Sequence, residues 1–288
     1  MRQAGAATAE HQRWQRLQRA GLRWAAWGAL LGLLAGLVVN APAQWLADGL
    51  QQASAGRLLL AEARGSLWNG SAVLVLTGGA GSRDASALPG RLHWQLRPDW
   101  RGLQLQAQQG CCINGDLGLH WQPGWGGYTL ALGDGRAAPS AGAANHVIGH
   151  WPAAWLAGLG TPWNTLQLGG LLQLASPGMR LQSTQGRLQL EGVLALELQG
   201  VSSRLSPLPV LGSYRLRLQS QAAGGQAASL QLDTLDGALR LSGSGTWTGT
   251  GLRLRGQAQA AEGQDAALSN LLNIIGRRQG ALSVISIG

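Results

Sequence analysis

His146 and His150 stand four residues apart in His146-Val147-Ile148-Gly149-His150. That spacing puts two imidazoles on one helix face, as in zinc-binding H-E-x-x-H helices. The glutamate that would serve as base is missing, and Val147 and Gly149 are poor helix formers, so a satisfied or exposed histidine pair is the expectation. Serine chemistry has no foothold either: Gly200-Val201-Ser202 runs into Ser203-Arg204 instead of closing a G-x-S-x-G elbow. Asp233 and Asp236 form the nearest carboxylate pair, in a turn-like Thr234-Leu235-Asp236-Gly237 setting where aspartate commonly supports the turn itself. Every basic residue is arginine, which removes P-loop, Schiff-base and Ser-Lys chemistry at once. Neither an enzyme, a metal site nor a cofactor site is expected.

Cys111 and Cys112 are the one unusual covalent feature. Adjacent cysteines close a strained ring, bridge to another chain or stay reduced, and two thiols without further ligands do not make a metal site. In an oxidising compartment a disulfide between them, set in the Gly110-Cys-Cys-Ile-Asn-Gly115 turn, is the leading reading. A catalytic dithiol would call for Cys-x-x-Cys spacing.

The elements that hold such residues follow from composition and pattern. Glycine numbers 45 of 288 residues and charged residues are only 12%, a balance that favours strands and turns over long surface helices. Ala72-Val-Leu-Val-Leu76, Leu103-Gln-Leu-Gln-Ala107, Gly186-Arg-Leu-Gln-Leu190, Tyr214-Arg-Leu-Arg-Leu218 and Gly251-Leu-Arg-Leu-Arg255 alternate apolar with polar residues. Period two marks strands with one buried face, so the expected fold is mainly β, a curved antiparallel sheet with a few short helices. Helices are expected near Trp151–Ala157 and Gln264–Ile275, and Pro162-Trp163-Asn164 should turn the chain into a strand over Thr165–Leu168. Gly133 to Asn145 reads as a loop and a break in the sheet near 133–145.

Residues 24–47 carry no charge, and Trp24, Trp27 and Trp45 lie near the ends of the stretch. About 20 apolar residues cross a hydrocarbon core, so a single transmembrane helix is expected over 24–47. Residues 1–23 hold five arginines against Glu10 and would form a cytoplasmic tail. A stalk over 48–64 and a periplasmic β-rich domain over 65–288 would follow. Ala41-Pro42-Ala43 before Gln44 also fits a signal-peptidase site, which gives the rival reading of a cleaved leader. Within the span, Gly28, Gly32 and Gly36 fall at i, i+4 and i+8, a small-residue stripe suited to helix packing. The remaining arginines recur singly between Leu and Gln, unlike the basic stripe of a nucleic-acid binder, so no nucleic acid is expected.

Four motifs carry a resemblance: Gly65-Ser-Leu-Trp68-Asn-Gly70-Ser-Ala72, Gly90-Arg-Leu-His-Trp94-Gln-Leu-Arg-Pro98, Leu159-Gly-Thr-Pro162-Trp163-Asn164-Thr-Leu166, and Ser206-Pro-Leu-Pro-Val-Leu-Gly212-Ser-Tyr214-Arg-Leu216. In this order, behind an apolar N-terminal segment, the chain resembles protein N of the bacterial type II secretion system. The resemblance implies a single-pass inner-membrane protein with a periplasmic β-rich domain, placed with platform proteins C, L and M, and similar to the larger AsmA-like group. It therefore implies a non-catalytic subunit, the alternative being an AsmA-like lipid-handling module. Physically, Gly65 and Gly70 are expected to shape a turn around Trp68 as a core anchor.

Overall fold

The computed structural model describes residues 24–133, 146–184, 187–220, 228–247 and 251–287. These fall into two units, one ending at Pro42 and one running from Ala43. In the first, residues 24–39 form helix α1, with every side chain exposed. Asn40 then turns the chain, its side-chain amide donating to the Gly36 carbonyl at 2.8 Å. Pro42 follows, and a proline both lacks an N–H and disfavours helical geometry in the residue before it. A second helix, α2 (Gln44–Ala53), starts afresh and belongs to the sheet domain. The single helix expected over 24–47 is thus corrected to two. Among the described residues no helix is long and apolar enough to cross a membrane.

Among the described residues of the second unit, sixteen strands join one open antiparallel sheet. They are β1 (Leu58–Gly65), β2 (Asn69–Thr77), β3 (Ala85–Ala87), β4 (Leu92–Asp99), β5 (Gly102–Gln108), β6 (Leu117–Gly124), β7 (Gly127–Leu132) and β8 (His146–Pro152), then β9 (Leu168–Thr184), β10 (Arg187–Ser203), β11 (Gly212–Ser220), β12 (Ala228–Gly237), β13 (Leu239–Trp247), β14 (Leu252–Ala260), β15 (Arg277–Gln279) and β16 (Leu282–Ile287). The order is β1-β2-β4-β5-β6-β7-β9-β10-β11-β12-β13-β14-β16-β15, with β3 beside β2 and β8 beside β9. The residues read as a stalk are the end of α2, a turn over 54–57 and most of β1. Residues 134–145 lie outside the described residues, but β7 and β9 pair directly on either side of them, so the sheet is unbroken there.

Registration explains why a leucine-rich alternation makes this sheet. Leu103, Trp121, Leu130, Leu181 and Leu190 are successive cross-strand partners from β5 to β10. Beside them Gln104, His120, Ala131, Arg180 and Glu191 form the adjacent row. Successive residues point to opposite faces, so one face is apolar and the other polar. On the polar face Arg215 pairs with Glu197 at 2.7 Å and stands opposite Asp233. The Asp233–Asp236 segment is therefore strand and not turn.

Two clusters cover parts of the apolar face. Near the N-terminal edge, Leu46, Ala47 and Leu50 of α2 pack with Leu60, Ala72 and Trp94. At the other end, helix α4 (Asp265–Ile275) buries Leu268, Leu271 and Leu272 against Tyr214, Leu239 and Ala258. A 3-10 helix over Ala153–Leu159 and the short α3 (Trp163–Leu166) join the same cluster. The two expected helical regions thus exist, although Trp151 and Pro152 close β8 and Thr165–Leu166 belong to α3, with β9 beginning at Leu168.

Candidate functional site

The first two motifs meet in space. Gly65 to Gly70 is the β1–β2 hairpin, in which the Ser66 N–H donates to the Asn69 carbonyl at 2.9 Å and the Asn69 N–H to Ser66 Oγ at 3.1 Å. Gly65 holds φ +90°, and a Cβ on Gly70 would lie 2.5 Å from Trp94 Cζ2 and 2.8 Å from the Arg64 carbonyl oxygen. Trp94, fully buried, lies under this hairpin and donates its indole N–H to the Leu67 carbonyl at 3.1 Å. Trp68 is only half-buried, and its carbonyl accepts the Leu96 N–H at 2.7 Å. The anchor of the first motif is thus the tryptophan of the second.

The third and fourth motifs meet at the opposite end of the sheet. The Thr161–Pro162 peptide is cis, Trp163 packs on the large core cluster, and the Asn164 amide donates to Asp84 Oδ2 at 3.1 Å. The Leu166 carbonyl accepts from the buried Ser203 hydroxyl at 2.6 Å, which ties α3 to the start of the fourth motif. Gly212 and Gly237 face each other so closely that a Cβ on Gly237 would lie 2.2 Å from Gly212 Cα. Tyr214 is buried beside them and donates its hydroxyl to the Leu239 carbonyl at 2.9 Å. Burial pushes its phenol pKa up, because the phenolate has no water to solvate it.

Cys111 and Cys112 are joined as a vicinal disulfide. The surrounding turn reaches the strand that carries the histidines: the His150 N–H donates to the Cys112 carbonyl at 2.7 Å, and the Asn114 N–H to the Ile148 carbonyl at 2.9 Å. A Cβ on Gly149 would fall 2.2 Å from the Cys112 carbonyl oxygen, so glycine is required for this approach. Gln109, buried, anchors the turn by accepting the Ile113 N–H at its backbone carbonyl and donating its side-chain amide to the Pro89 carbonyl. His146 and His150 lie in β8 and not on a helix, so the zinc-pair spacing has no helical face. Among the described residues no group of three or more His, Cys, Asp and Glu side chains gathers to hold a metal ion.

Gly28, Gly32 and Gly36 lie along α1, where a Cβ at any of them meets nothing within 4 Å. The pairing of turn and β8 is what sequence reasoning missed, since no spacing rule links Cys112 to His150 across the intervening residues. The arrangement builds a scaffold and presents surfaces: hairpin ends, a polar face, and leucines that the clusters leave half-buried. No curated protein and no solved structure matches the chain. Residues 56–284 match the family described as Type II secretion system (T2SS), protein N, a stretch that takes in β1 to β15 and all four motifs, and the chain belongs to that family as a component of type II secretion.

Proposed function

We propose that this chain is a non-catalytic subunit of the inner-membrane platform of the type II secretion machine. In this reading α1 is held in the bacterial inner membrane, residues 1–23 lie in the cytoplasm and the sheet domain lies in the periplasm. The family match across the sheet domain carries the proposal. The chemistry of α1 supports the anchor: it is uncharged along its length and exposes Leu31, Leu33 and Val39 on all sides. A helix apolar all round needs a non-aqueous environment. The described part of α1, sixteen residues, rises about 24 Å within a hydrocarbon core of about 30 Å, and Trp24 and Trp27 suit its interface.

The partners are other platform proteins, C, L and M, reached through α1 and the periplasmic surfaces. No cofactor and no nucleic acid enters this role. The Gly28, Gly32 and Gly36 stripe would let a neighbouring helix approach closely. Replacing Gly32 and Gly36 with Leu leaves the segment apolar, and a Cβ at either position meets nothing within 4 Å. The expected result is normal insertion with reduced co-purification of platform proteins and reduced export of secreted enzymes. Unchanged co-purification and export would refute a packing role for the stripe.

A second reading, an AsmA-like module that shields acyl chains, is favoured by Leu181, Leu190, Leu194 and Leu196, which are half-buried and belong to neither core cluster. It predicts that glutamate at Leu194 and Leu196 makes the envelope permeable while export continues. Loss of export with an intact envelope would count against it.

A further inference from the structure

The antiparallel order places alternate hairpins at one end of the sheet. Gly65 pairs with Gly70, Asp99 with Gly102, and Gly124 with Gly127, which in turn stands opposite Thr184. The β1–β2, β4–β5, β6–β7 and β9–β10 turns therefore share that end. The chain also joins the domain there, since the Ala43 N–H donates to the Gly65 carbonyl at 3.2 Å.

Exposed aromatic side chains collect at this end. In the sheet domain, among the described residues, they are Trp45, Trp100, Trp121, Trp125 and Tyr128. Trp45 follows Ala43 by two residues, Trp100 and Trp125 form hairpin tips, and Trp121 and Tyr128 lie within four residues of the second tip. Trp125 is fully exposed and Trp100 is 82% exposed. By contrast, Trp151, Trp155 and Trp163, near the third motif, are all half-buried. The large apolar side chains exposed elsewhere in the domain are aliphatic: Leu171, Val210, Leu235 and Ile274.

Indole and phenol rings with an apolar body and a polar tip favour the headgroup level of a bilayer. Arginine beside them suits the same place, since its stem lies among apolar groups while its charge meets lipid phosphates. Arg101 shows that pairing, with its guanidinium 4.0 Å over the Trp100 ring. The acidic group at these two tips, Asp99, is engaged in the turn, where its carboxylate accepts the Trp100 N–H at 2.8 Å. From Val39, the last residue of the uncharged α1, four peptide steps lead to Ala43 and span at most about 14 Å.

We propose that the hairpin end bearing Trp45, Trp100, Trp121, Trp125 and Tyr128 is seated in the headgroup interface of the bilayer that holds α1. The proposal rests on the anchor reading of α1 and adds a second contact, which orients the sheet domain on the membrane instead of leaving it to swing from its tether. Two attachments restrict the surfaces that remain open to platform partners to the far end of the sheet and its flanks.

The full chain, reconstituted into phosphatidylcholine–phosphatidylglycerol vesicles, tests this. A cysteine replacing Gln122, near the β6–β7 tip, or Glu262, in the loop after β14 at the opposite end, carries an environment-sensitive fluorophore; both positions are exposed, and the native cysteines are paired with each other. Flotation of the vesicles reads the anchor, and quenching by lipids brominated high on the acyl chain reads the hairpin end. The expected result is flotation of both labelled chains, quenching and a blue-shifted emission at position 122, and neither at 262. Adding Trp100→Ala and Trp125→Ala should abolish the quenching at 122 while flotation persists. A chain that floats with position 122 as unquenched as 262 overturns the proposal and leaves the anchor standing. A chain that does not float overturns the anchor reading and this proposal with it.

Discussion

Tyr214 shows how a single residue closes a β-scaffold: its ring fills the large cluster and its hydroxyl serves the Leu239 carbonyl. Tyr214→Phe leaves that buried acceptor unpaired and should cost about 1–3 kcal/mol in urea unfolding at pH 7. The sign of its pH dependence follows from burial. The folded phenol holds its proton above the ordinary value of about 10, so its contribution is complete below that pH and is lost as pH rises through the folded value. The stability gap between native chain and Tyr214→Phe should therefore shrink from pH 9 to pH 11; a gap that stays constant or grows would contradict this. The vicinal disulfide acts differently, since bridging neighbours in sequence closes almost no loop. With the turn already held by Cys112–His150 and Asn114–Ile148 hydrogen bonds, replacing both cysteines with Ser should leave the unfolding midpoint and secretion nearly unchanged. A severe secretion defect would point to another role. The turn-forming work of Gly65 and Gly70 was legible in their spacing. That Trp94 rather than Trp68 fills the core was not, because only the β2–β4 register reveals which indole lies beneath the hairpin.

Among the elements, strands were legible wherever alternation was clean, as in β5, β11 and β14. Of the two longest strands, the start of β10 was legible in Gly186-Arg-Leu-Gln-Leu190 and β9 was hidden. β9 contains Gly169, Gly170, Pro177 and Gly178, which read as breakers. Pro177 is accommodated at a bulge, where Ser176 and Pro177 together stand opposite Leu194 and the neighbouring strand changes from β8 to β7. Residues 24–47 misled for the opposite reason: an absence of charge does not distinguish one helix from two, and Pro42 is the divider. Helix α4 was legible from its three-and-four spacing, and it contributes the most deeply buried leucines of the large cluster. Leu272→Ala removes a fully buried side chain and should cost about 2–5 kcal/mol in denaturant unfolding of the whole chain. A loss below about 0.5 kcal/mol, the range of neutral surface changes, would show that α4 is not part of the cooperative core.

At the scale of the whole molecule, the described residues form a sheet with one leucine face and one arginine–glutamine face. The order of the four motifs carried the family resemblance in the sequence. What the sequence concealed was their grouping into two nodes at opposite ends of the sheet, because antiparallel neighbours bring together residues far apart in the chain. For a component of type II secretion, export itself is the most direct readout. The decisive measurement is the distribution of a type II secreted enzyme between periplasm and medium in cells lacking this chain, with the full chain restored as control. The account predicts that the enzyme accumulates in the periplasm and that restoration returns it to the medium, whereas normal export in the deleted cells would contradict a role in the secretion platform.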